Sequence, residues 1–465
     1  MKFLFIDGQG YTRYITWKKI SKFKTLIYPP LGLLYIGRAL EDEGHKVEVI
    51  HYFDEDSSER LIEKSLTSVD AVGISVTTSS YKYVAQIAEK IKEIDLSIPI
   101  IIGGPHCTFH PKQSMKEIPS ADISVEGEAD LVIKDIANSL ENNEKNLSEV
   151  EGVFYRENNN IKAGKPCKIT TDLDSIPFPA RHLVDKYEYG MLNNINVFKP
   201  KLTSMVTSRG CPFKCRFCAR VNLTYKTYRQ RSAENVVKEI LEINDKYNSV
   251  SIIDDNFLAD KKRAHKIFDS LIENGTNIDL IIMGARVDSA ERSLYKKMKK
   301  AGVKYIEFGL ESGNQDVLDF YNKRITLDQI RKAVNLSNDM NFMTVGNFIL
   351  GAPIETERYI EKTIKFACSL PLDITFFVPL AYMYGSDLWN EAVQNNIIIE
   401  DGNYYKSEDI RKKLGSFTGE KLQEFCKNGM KRFYLRPNYV VGQFIKGIKK
   451  QDFSLIKIGI NNLLQ

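Results

Sequence analysis

The 465-residue sequence contains no long apolar run, and none reaches the roughly 18 residues that a membrane-spanning helix needs. At the N-terminus only four apolar residues, Phe3 to Ile6, come before Asp7, which is too few for the core of a secretion signal. We therefore expect neither export nor membrane insertion, and a cytoplasmic location.

Cysteine and net charge are also low. Seven cysteines in a chain without a secretion signal favour reduced thiols over a disulfide scaffold, with metal or catalytic use where they cluster. The net charge of +5 is too small to predict a nucleic-acid partner. Hydrophobic residues at 43% and charged residues at 27% are typical of folded globular proteins, and the length predicts more than one domain.

Short β-branched runs alternate with amphipathic stretches over residues 1–141, which predicts an α/β domain built on a doubly wound parallel sheet. The predicted strands and helices are, in chain order, Lys2–Asp7, Leu31–Glu43, Lys46–His51, Val69–Val76, Tyr81–Ile94, Ile98–Gly103, Asp122–Glu126 and Glu128–Leu140. Ligands of such sheets bind beyond the carboxyl ends of the strands. The loops at 8–30, 77–80 and 103–111 and at Gly127 are therefore the candidate site, and a set of loops without a ligand is the alternative.

A second βα series occupies residues 199–395, after a polar linker at 142–198 in which we expect a hairpin from Val153 to Ile161. Six strands fit a partial (β/α)6 barrel of TIM type, whose functional face is again at the carboxyl ends of the strands. The six strands are Leu202–Ser208, Ser249–Asp254, Leu280–Ala285, Lys304–Gly309, Thr344–Leu350 and Ile374–Leu380. We expect residues 396–465 to form a small helical C-terminal region.

Directly after the first strand of this series, Cys211, Cys215 and Cys218 have the spacing CxxxCxxC. A 4Fe-4S cluster held by three thiolates keeps one iron open for a substrate, whereas a zinc knuckle wants a fourth ligand. We predict that these cysteines bind such a cluster; zinc binding or inert thiols are the alternatives. Three cations of the same loop, Arg209, Lys214 and Arg216, are expected to favour the thiolates. The other cysteines, Cys107, Cys167, Cys368 and Cys426, show no ligand spacing.

At this motif the sequence resembles the radical S-adenosylmethionine superfamily, and the ends of the following predicted strands resemble it in order. The resemblance implies three groups of contacts with S-adenosylmethionine. Asp254, Asp255 and Asn256 would hold the methionine amino group; Arg286, Glu311 and Ser312 would approach its carboxylate or the ribose; Phe217 and the loop around Gly351 would contact the adenine. Each short motif alone also fits a helix cap or a turn, so the interpretation depends on their joint order.

Residues 1–141 resemble the cobalamin-binding domains that precede radical barrels in one large subfamily, through segments at 29–34, 103–106 and 126–128. Glycines at strand ends let the backbone approach a large flat ring such as corrin. The residues that the resemblance assigns to cobalamin are Leu31, Gly32, Ser75, Thr77, Thr78, Gly103, Gly104, His106, Glu126, Gly127 and Glu128.

The motif Asp-x-His-x-x-Gly, which supplies a histidine as the lower cobalt ligand, is absent after the first strand. We therefore expect a lower cobalt face without histidine. His51 and His106 lie near strand ends and are the candidates for that role, with a hydrogen-bonded loop histidine as the alternative for each. A flavodoxin-like nucleotide site is the alternative for the domain, but neither Gly-x-Gly-x-x-Gly nor a phosphate loop supports it.

The resemblance implies an anaerobic enzyme whose cluster receives an electron from an external donor such as flavodoxin or ferredoxin. S-adenosylmethionine is then cleaved to a 5'-deoxyadenosyl radical, which abstracts hydrogen from an unactivated carbon of a small-molecule or lipid substrate. Methylation of that carbon by cobalamin is the leading hypothesis. Carbon–carbon bond formation or oxidative cyclisation of a lipid or tetrapyrrole, as in the anaerobic magnesium-protoporphyrin monomethyl ester cyclase, is the alternative among enzymes. A cobalamin-binding sensor is the alternative outside them.

Residues 421–450 are basic and aromatic, and Glu424 is their single acidic residue. Such a segment fits peripheral contact with an anionic membrane surface. The alternative is a solvated face that closes the barrel.

Overall fold

The computed structural model of the protein describes residues 1–8, 28–51, 62–142, 146–192, 195–196, 198–398 and 415–450. The described residues up to Glu188 form one compact unit, and those from Tyr189 onward form a second. Most of the predicted loop at 8–30 lies outside the described residues. Among the described helices, none is long and apolar enough to cross a bilayer.

The first unit contains one seven-stranded sheet, which includes the five parallel strands that the sequence predicts and the two strands of the predicted hairpin. Its strands are β1 (Lys2–Asp7), β2 (Lys46–His51), β3 (Ala71–Ser75), β4 (Ile100–Gly103), β5 (Ile123–Val125), β6 (Val153–Glu157) and β7 (Asn160–Ala163). They are ordered β2-β1-β3-β4-β5-β6-β7, and the first five are parallel. This is the doubly wound order, whose direction reverses between β1 and β3. The predicted hairpin is β6–β7, and it extends this sheet by antiparallel pairing with β5.

The first unit contains three helices that the sequence predicts and two that it does not. They are α1 (Leu31–Asp42), α2 (Tyr81–Ile94), α3 (Pro105–Phe109), α4 (Pro111–Glu117) and α5 (Ala129–Glu141). Helix α2 buries Val84, Ile87, Ala88 and Ile91, one apolar stripe at helical spacing. The segment 103–111, which we predict as a loop, instead contains α3 and leads into α4. Helices α3 and α4 each begin with a proline, whose fixed φ suits the first helical position.

The second unit contains a six-stranded parallel sheet, which confirms the partial barrel. Its strands are β10 (Leu202–Met205), β13 (Ser249–Ile252), β14 (Asp279–Ala285), β15 (Val303–Glu311), β16 (Met343–Leu350) and β17 (Ile374–Pro379), in that spatial order. Two short antiparallel pairs accompany it: β8 (Met191–Leu192) with β9 (Ile195–Asn196), and β11 (Ser208–Arg209) with β12 (Arg229–Gln230).

The second unit has ten α-helices among its described residues, and most of them contribute buried apolar side chains to one large core around this sheet. They are α6 (Arg220–Leu223), α7 (Ala233–Asn244), α8 (Lys261–Glu273), α9 (Arg292–Lys300), α10 (Gln315–Phe320), α11 (Leu327–Asp339), α12 (Glu357–Ser369), α13 (Asp387–Gln394), α14 (Gly419–Tyr434) and α15 (Pro437–Lys450). Helix α14 is fixed to β17 because Tyr434 Oη both donates to and accepts from the backbone of Thr375. The helical C-terminal region is therefore confirmed over the part that the structure describes.

Candidate functional site

The three motif cysteines lie in the loop between β11 and α6, and this loop is held from two sides. Arg216 N–H donates to the carbonyl of Tyr321 at 3.0 Å, and the Asn322 side chain donates to the carbonyl of Lys214 at 2.7 Å. On the other side, Leu388 N–H donates to the carbonyl of Arg216 at 3.0 Å. The cysteine loop is thus bonded to the end of α10 and to the start of α13.

All three thiols are partly exposed, so a ligand can reach them. Burial raises the pKa of each, that of Cys218 to about 11, while the cations Arg286, Lys323 and Arg220 act in the opposite direction. Without a bound metal the thiols are therefore protonated at neutral pH. Among the described residues, no three His, Cys, Asp or Glu side chains converge as ligands of one metal ion do. A 4Fe-4S cluster does not require such convergence, because each thiolate binds a different iron.

The cations that act on the thiols in the structure are Arg286, Lys323 and Arg220, whereas we predict this role for Arg209, Lys214 and Arg216. The prediction is wrong for Arg216, whose guanidinium pairs with Glu391 and stacks on the Phe320 ring at 4.3 Å. Arg286, from the end of β14, lies over the Phe213 ring at 3.5 Å and donates to the carbonyl of Lys323 at 2.7 Å. Arg220 is local to the motif, but Arg286 and Lys323 come from distant parts of the chain, which local sequence could not show.

A buried ion pair lies next to the cysteine loop. Lys323 Nζ is 2.6 Å from Glu311 Oε1, and it lies 5.9 Å from the centroid of the Phe217 ring. Although burial acts to lower it, the pKa of Lys323 is raised by Glu311 and Cys215. A methyl group at Gly309 would overlap the Glu311 carboxylate, so the glycine leaves room for the pair. Lys323 is a site residue that sequence reasoning missed, since its local sequence carries no signal.

The segment after β13 combines two different roles. Asp254 accepts three hydrogen bonds of 2.6 Å, from Thr207 N–H, Thr207 Oγ1 and Ser208 Oγ. It joins the segments that follow β10 and β13, and these three bonds are internal to the protein. Asn256 is 1% exposed, and neither its amide nitrogen nor its amide oxygen has a hydrogen-bond partner. Because buried amides are normally bonded, Asn256 fits a polar group of a ligand such as S-adenosylmethionine.

Asp255 lies 3.4 Å from Arg220, just after Cys218, so it links the same segment to the cysteine loop. Ser312 is fully buried and shares a 3.1 Å hydrogen bond with Thr363, which places its hydroxyl inside the fold. Phe217 packs edge-on against Tyr321, with ring centroids 5.0 Å apart.

The loop after β16 is shaped by a buried carboxylate. Gly351 has φ +106°, a conformation that favours glycine. Glu355 Oε2 accepts hydrogen bonds from the N–H groups of Gly351 and Ala352, at 2.6 and 2.9 Å. Burial raises the pKa of Glu355 to about 7, against these two bonds. The loop predicted to contact adenine is thus fixed from within.

In the first unit, the carboxyl ends of β1 and β3 are joined at the point where the strand order reverses. Ser75 Oγ donates to Asp7 Oδ1 at 3.0 Å and accepts from Gly8 N–H at 3.3 Å. His51, at the end of β2, lies 3.1 Å from Asp7 Oδ2 and is almost fully buried. The ring of His51 therefore has its partner, Asp7, inside the domain.

The end of β4 combines an open glycine with a buried histidine. A Cβ at Gly103 would meet only Val125, at 3.8 Å, and one at Gly32 would meet nothing within 4 Å. These open positions fit the approach of a large flat ring. His106 is fully buried, stacked on Tyr81 and bonded to Glu117 at 2.9 Å. The structure therefore does not place His106 on the surface of this edge.

The remaining predicted cobalamin residues lie on the same edge of the sheet. Thr77 and Thr78 are partly exposed at the start of α2, where Thr77 N–H donates to Ser80 Oγ at 2.9 Å. Glu126, Gly127 and Glu128 are partly exposed after β5, and Gly127 N–H donates to Thr108 Oγ1 at 3.1 Å. Leu31 is buried at the first turn of α1.

Comparisons with known proteins agree with both units. The model of the radical SAM superfamily matches residues 205–367, and that of the B12 binding domain matches residues 25–137. An uncharacterized methyltransferase of Pyrococcus horikoshii is 32% identical over 94% of each chain. An anaerobic magnesium-protoporphyrin IX monomethyl ester cyclase of Rubrivivax gelatinosus is 26% identical over 92% of this chain and 77% of its own.

Among solved structures, the radical S-adenosylmethionine methyltransferase TsrM of Kitasatospora setae matches with a TM-score of 0.68. The match covers 85% of this chain and 75% of that one at 16% identity. The cobalamin-dependent S-adenosylmethionine radical enzyme OxsB matches with a TM-score of 0.70 over 98% of this chain and 72% of that one, at 17% identity. At these identities the likeness shows the fold.

The fold and the two domain matches define a radical SAM enzyme with a B12-binding domain. More narrowly, the chain belongs to the cobalamin-dependent radical SAM family that contains the P. horikoshii methyltransferase. The cofactors of this family are a 4Fe-4S cluster, S-adenosylmethionine and cobalamin.

Proposed function

We propose that this enzyme methylates an unactivated carbon of a small-molecule substrate. The observation that carries the proposal is the match over 94% of both chains to a relative named as a methyltransferase. A cytidylyl-2-hydroxyethylphosphonate methyltransferase of Streptomyces wedmorensis, 24% identical over 88% of this chain, supports it further.

The residues of this chain supply binding and orientation. When bound, the cluster and S-adenosylmethionine supply a 5'-deoxyadenosyl radical, and cobalamin supplies the methyl group. Cys211, Cys215 and Cys218 hold the cluster on a loop fixed to two helices. Asn256 offers an amide to the methionine end, and the Glu311–Lys323 pair sets the charge beside Cys215. Hydrogen abstraction by a radical needs no protein base, so none is assigned.

Oxidative ring formation is the second candidate. It is favoured by the 26% identity to the anaerobic cyclase of R. gelatinosus over 92% of this chain. The residues around the cysteine loop serve both reactions equally, because both start with the same cleavage of S-adenosylmethionine.

The proposal includes an external one-electron donor such as flavodoxin or ferredoxin, a cytoplasmic and anaerobic setting, and peripheral contact with a membrane. The donor is supported by the chemistry of the cluster, which must be reduced before each cleavage. The membrane contact is supported by the C-terminal helices and is developed below.

The test is an anaerobic incubation of the cobalamin-loaded enzyme with reductant, host-cell extract and S-adenosylmethionine that carries a deuterated methyl group. Mass spectrometry then follows 5'-deoxyadenosine and labelled products. We expect a product that gains the deuterated methyl group, and its absence in Cys218→Ala and in cobalamin-free enzyme. A cyclised product without the label would replace methylation by ring formation.

A further inference from the structure

Helix α15 turns its polar side chains toward the protein. Tyr439 Oη donates to the carbonyl of Asp373 at 2.7 Å. Gln443 Nε2 and Lys446 Nζ donate to Asp373 Oδ1 at 3.1 and 2.8 Å. The other carboxylate oxygen of Asp373 accepts from Thr344 N–H at 2.9 Å, so the anchor is itself fixed to the barrel. These bonds set which side of α15 faces inward.

The opposite side of α15 is apolar and exposed. Its side chains, which we call the α15 outer face, are 46% to 58% exposed: Val440, Val441, Phe444, Ile445 and Ile448. Together with Leu435, they are half of the large hydrophobic residues that the described chain exposes. A helix of a soluble domain normally turns its apolar stripe to the core and its polar groups to water. The arrangement in α15 is the reverse, so this face is built to be covered.

The sequence that contains the α15 outer face is positively charged. No acidic residue occurs from Phe425 to Gln451, while seven cations do: Lys427, Lys431, Arg432, Arg436, Lys446, Lys449 and Lys450. Arg432 pairs with Glu361 and Lys446 with Asp373, which leaves a clear excess of positive charge. Lys431, Leu435 and Arg436 line one surface pocket, so apolar and cationic groups adjoin.

We propose that the α15 outer face binds the surface of an anionic membrane, with its apolar side chains in the acyl boundary and the cations on the headgroups. Stable membrane attachment takes two signals, and this helix combines a hydrophobic strip with basic residues. A second copy of the chain fits less well, because a stable interface covers roughly 800 Å² per partner and this strip holds five half-exposed side chains. The charge excess would also repel an identical face. The inference names the surface that makes the membrane contact included in the proposed function, and it does not depend on methyl transfer.

The experiment is cosedimentation of the full-length holoenzyme with vesicles of phosphatidylcholine alone or mixed with phosphatidylglycerol. The test variant is Phe444→Ser/Ile448→Ser. The matched control is Ile94→Ser/Leu96→Ser, which removes two exposed apolar side chains from the first unit. Circular dichroism checks folding, which both variants should keep because the altered side chains lie at the surface. Size-exclusion chromatography with light scattering reports the oligomeric state.

We expect binding to the anionic vesicles only, weakened at about 1 M salt because the headgroup attraction is screened. The Phe444→Ser/Ile448→Ser variant should bind at least about tenfold more weakly, since it loses buried apolar area, and the control should bind like the parent. The proposal fails if the parent does not sediment with anionic vesicles at low salt, or if the test variant binds equally well. A dimer that the test variant converts to a monomer would assign the face to a second copy. None of these results bears on the labelled-methyl experiment.

Discussion

At the residue scale, the buried amide of Asn256 has no hydrogen-bond partner for its nitrogen or its oxygen among the residues that the structure describes. Its neighbour Asp254 is saturated by Thr207 and Ser208. Sequence reasoning assigned the two residues the same role. In the structure the two residues have different roles. The donors to Asp254 come from the segment after another strand, so local sequence could not show which of the two side chains is bonded internally.

Replacing Asn256 with leucine should weaken S-adenosylmethionine binding by about tenfold while leaving the free energy of unfolding of the ligand-free protein unchanged or higher. Leucine is similar in size to asparagine. The Asn256 amide that it replaces makes no internal hydrogen bond, so the folded protein loses none. Isothermal titration and urea unfolding measure the two quantities. Ser251→Ala, which removes a buried hydroxyl that also has no partner, is the control and should bind normally. A large loss of stability in Asn256→Leu would show that the amide is structural.

Glu355 predicts a pH dependence of stability. Its pKa is raised by burial from 4.5 to about 7, so the folded protein holds the proton more tightly than the unfolded chain. Its contribution is therefore complete below pH 4.5 and is lost as the pH rises through about 7, by roughly 3 kcal/mol at most.

Urea unfolding of the metal-free protein at about pH 5 and about pH 8 tests this. Glu355→Gln should lose less stability than the parent between the two pH values, because glutamine does not titrate there. Equal losses in the two proteins would contradict the assignment.

At the element scale, Asp254 joins the ends of β10 and β13. Removing it leaves three donors without their acceptor and takes away the carboxylate that lies 4.0 Å from the Arg263 guanidinium. Asp254→Ala should therefore lower the free energy of unfolding by roughly 3–5 kcal/mol. Asp254→Asn, which keeps one acceptor oxygen, should lose less. Guanidinium unfolding measures both, and a stable Asp254→Ala that fails only in ligand binding would restore the binding role.

Most elements could be predicted from periodicity, because buried parallel strands such as Ile100–Gly103 read as continuous apolar runs. The hairpin β6–β7 was predicted, but its pairing with β5 was not, since strand order depends on long-range contacts. Helices α3 and α4 were missed because Gly104, Pro105 and Pro111 indicate turns when considered alone. In the structure both prolines begin helices.

The candidate site was predictable where chemistry fixes the spacing, as in the three cysteines. It was not predictable where charge arrives from elsewhere in the chain. Lys323 and Arg286 reach the cysteine loop from the turn after α10 and from the end of β14, so only the fold brings them together.

At the scale of the whole molecule, each unit has its own sheet with its own predicted ligand edge, and the two domain matches fall on different units. The outward apolar face of α15 belongs to this scale too. Sequence reasoning identified the basic, aromatic segment, but which of its residues face outward depends on the anchor at Asp373.

The central claim is that Cys211, Cys215 and Cys218 carry the cluster that cleaves S-adenosylmethionine. The most direct measurement is 5'-deoxyadenosine formation and iron content after anaerobic reconstitution of the parent and of each cysteine-to-alanine variant. Cys368→Ala is the matched control, since Cys368 is also partly exposed in the second unit. The account predicts loss of 5'-deoxyadenosine in the three motif variants and parent-like formation in Cys368→Ala. Cleavage that survives in any motif variant, or zinc in place of iron in the parent, would contradict it.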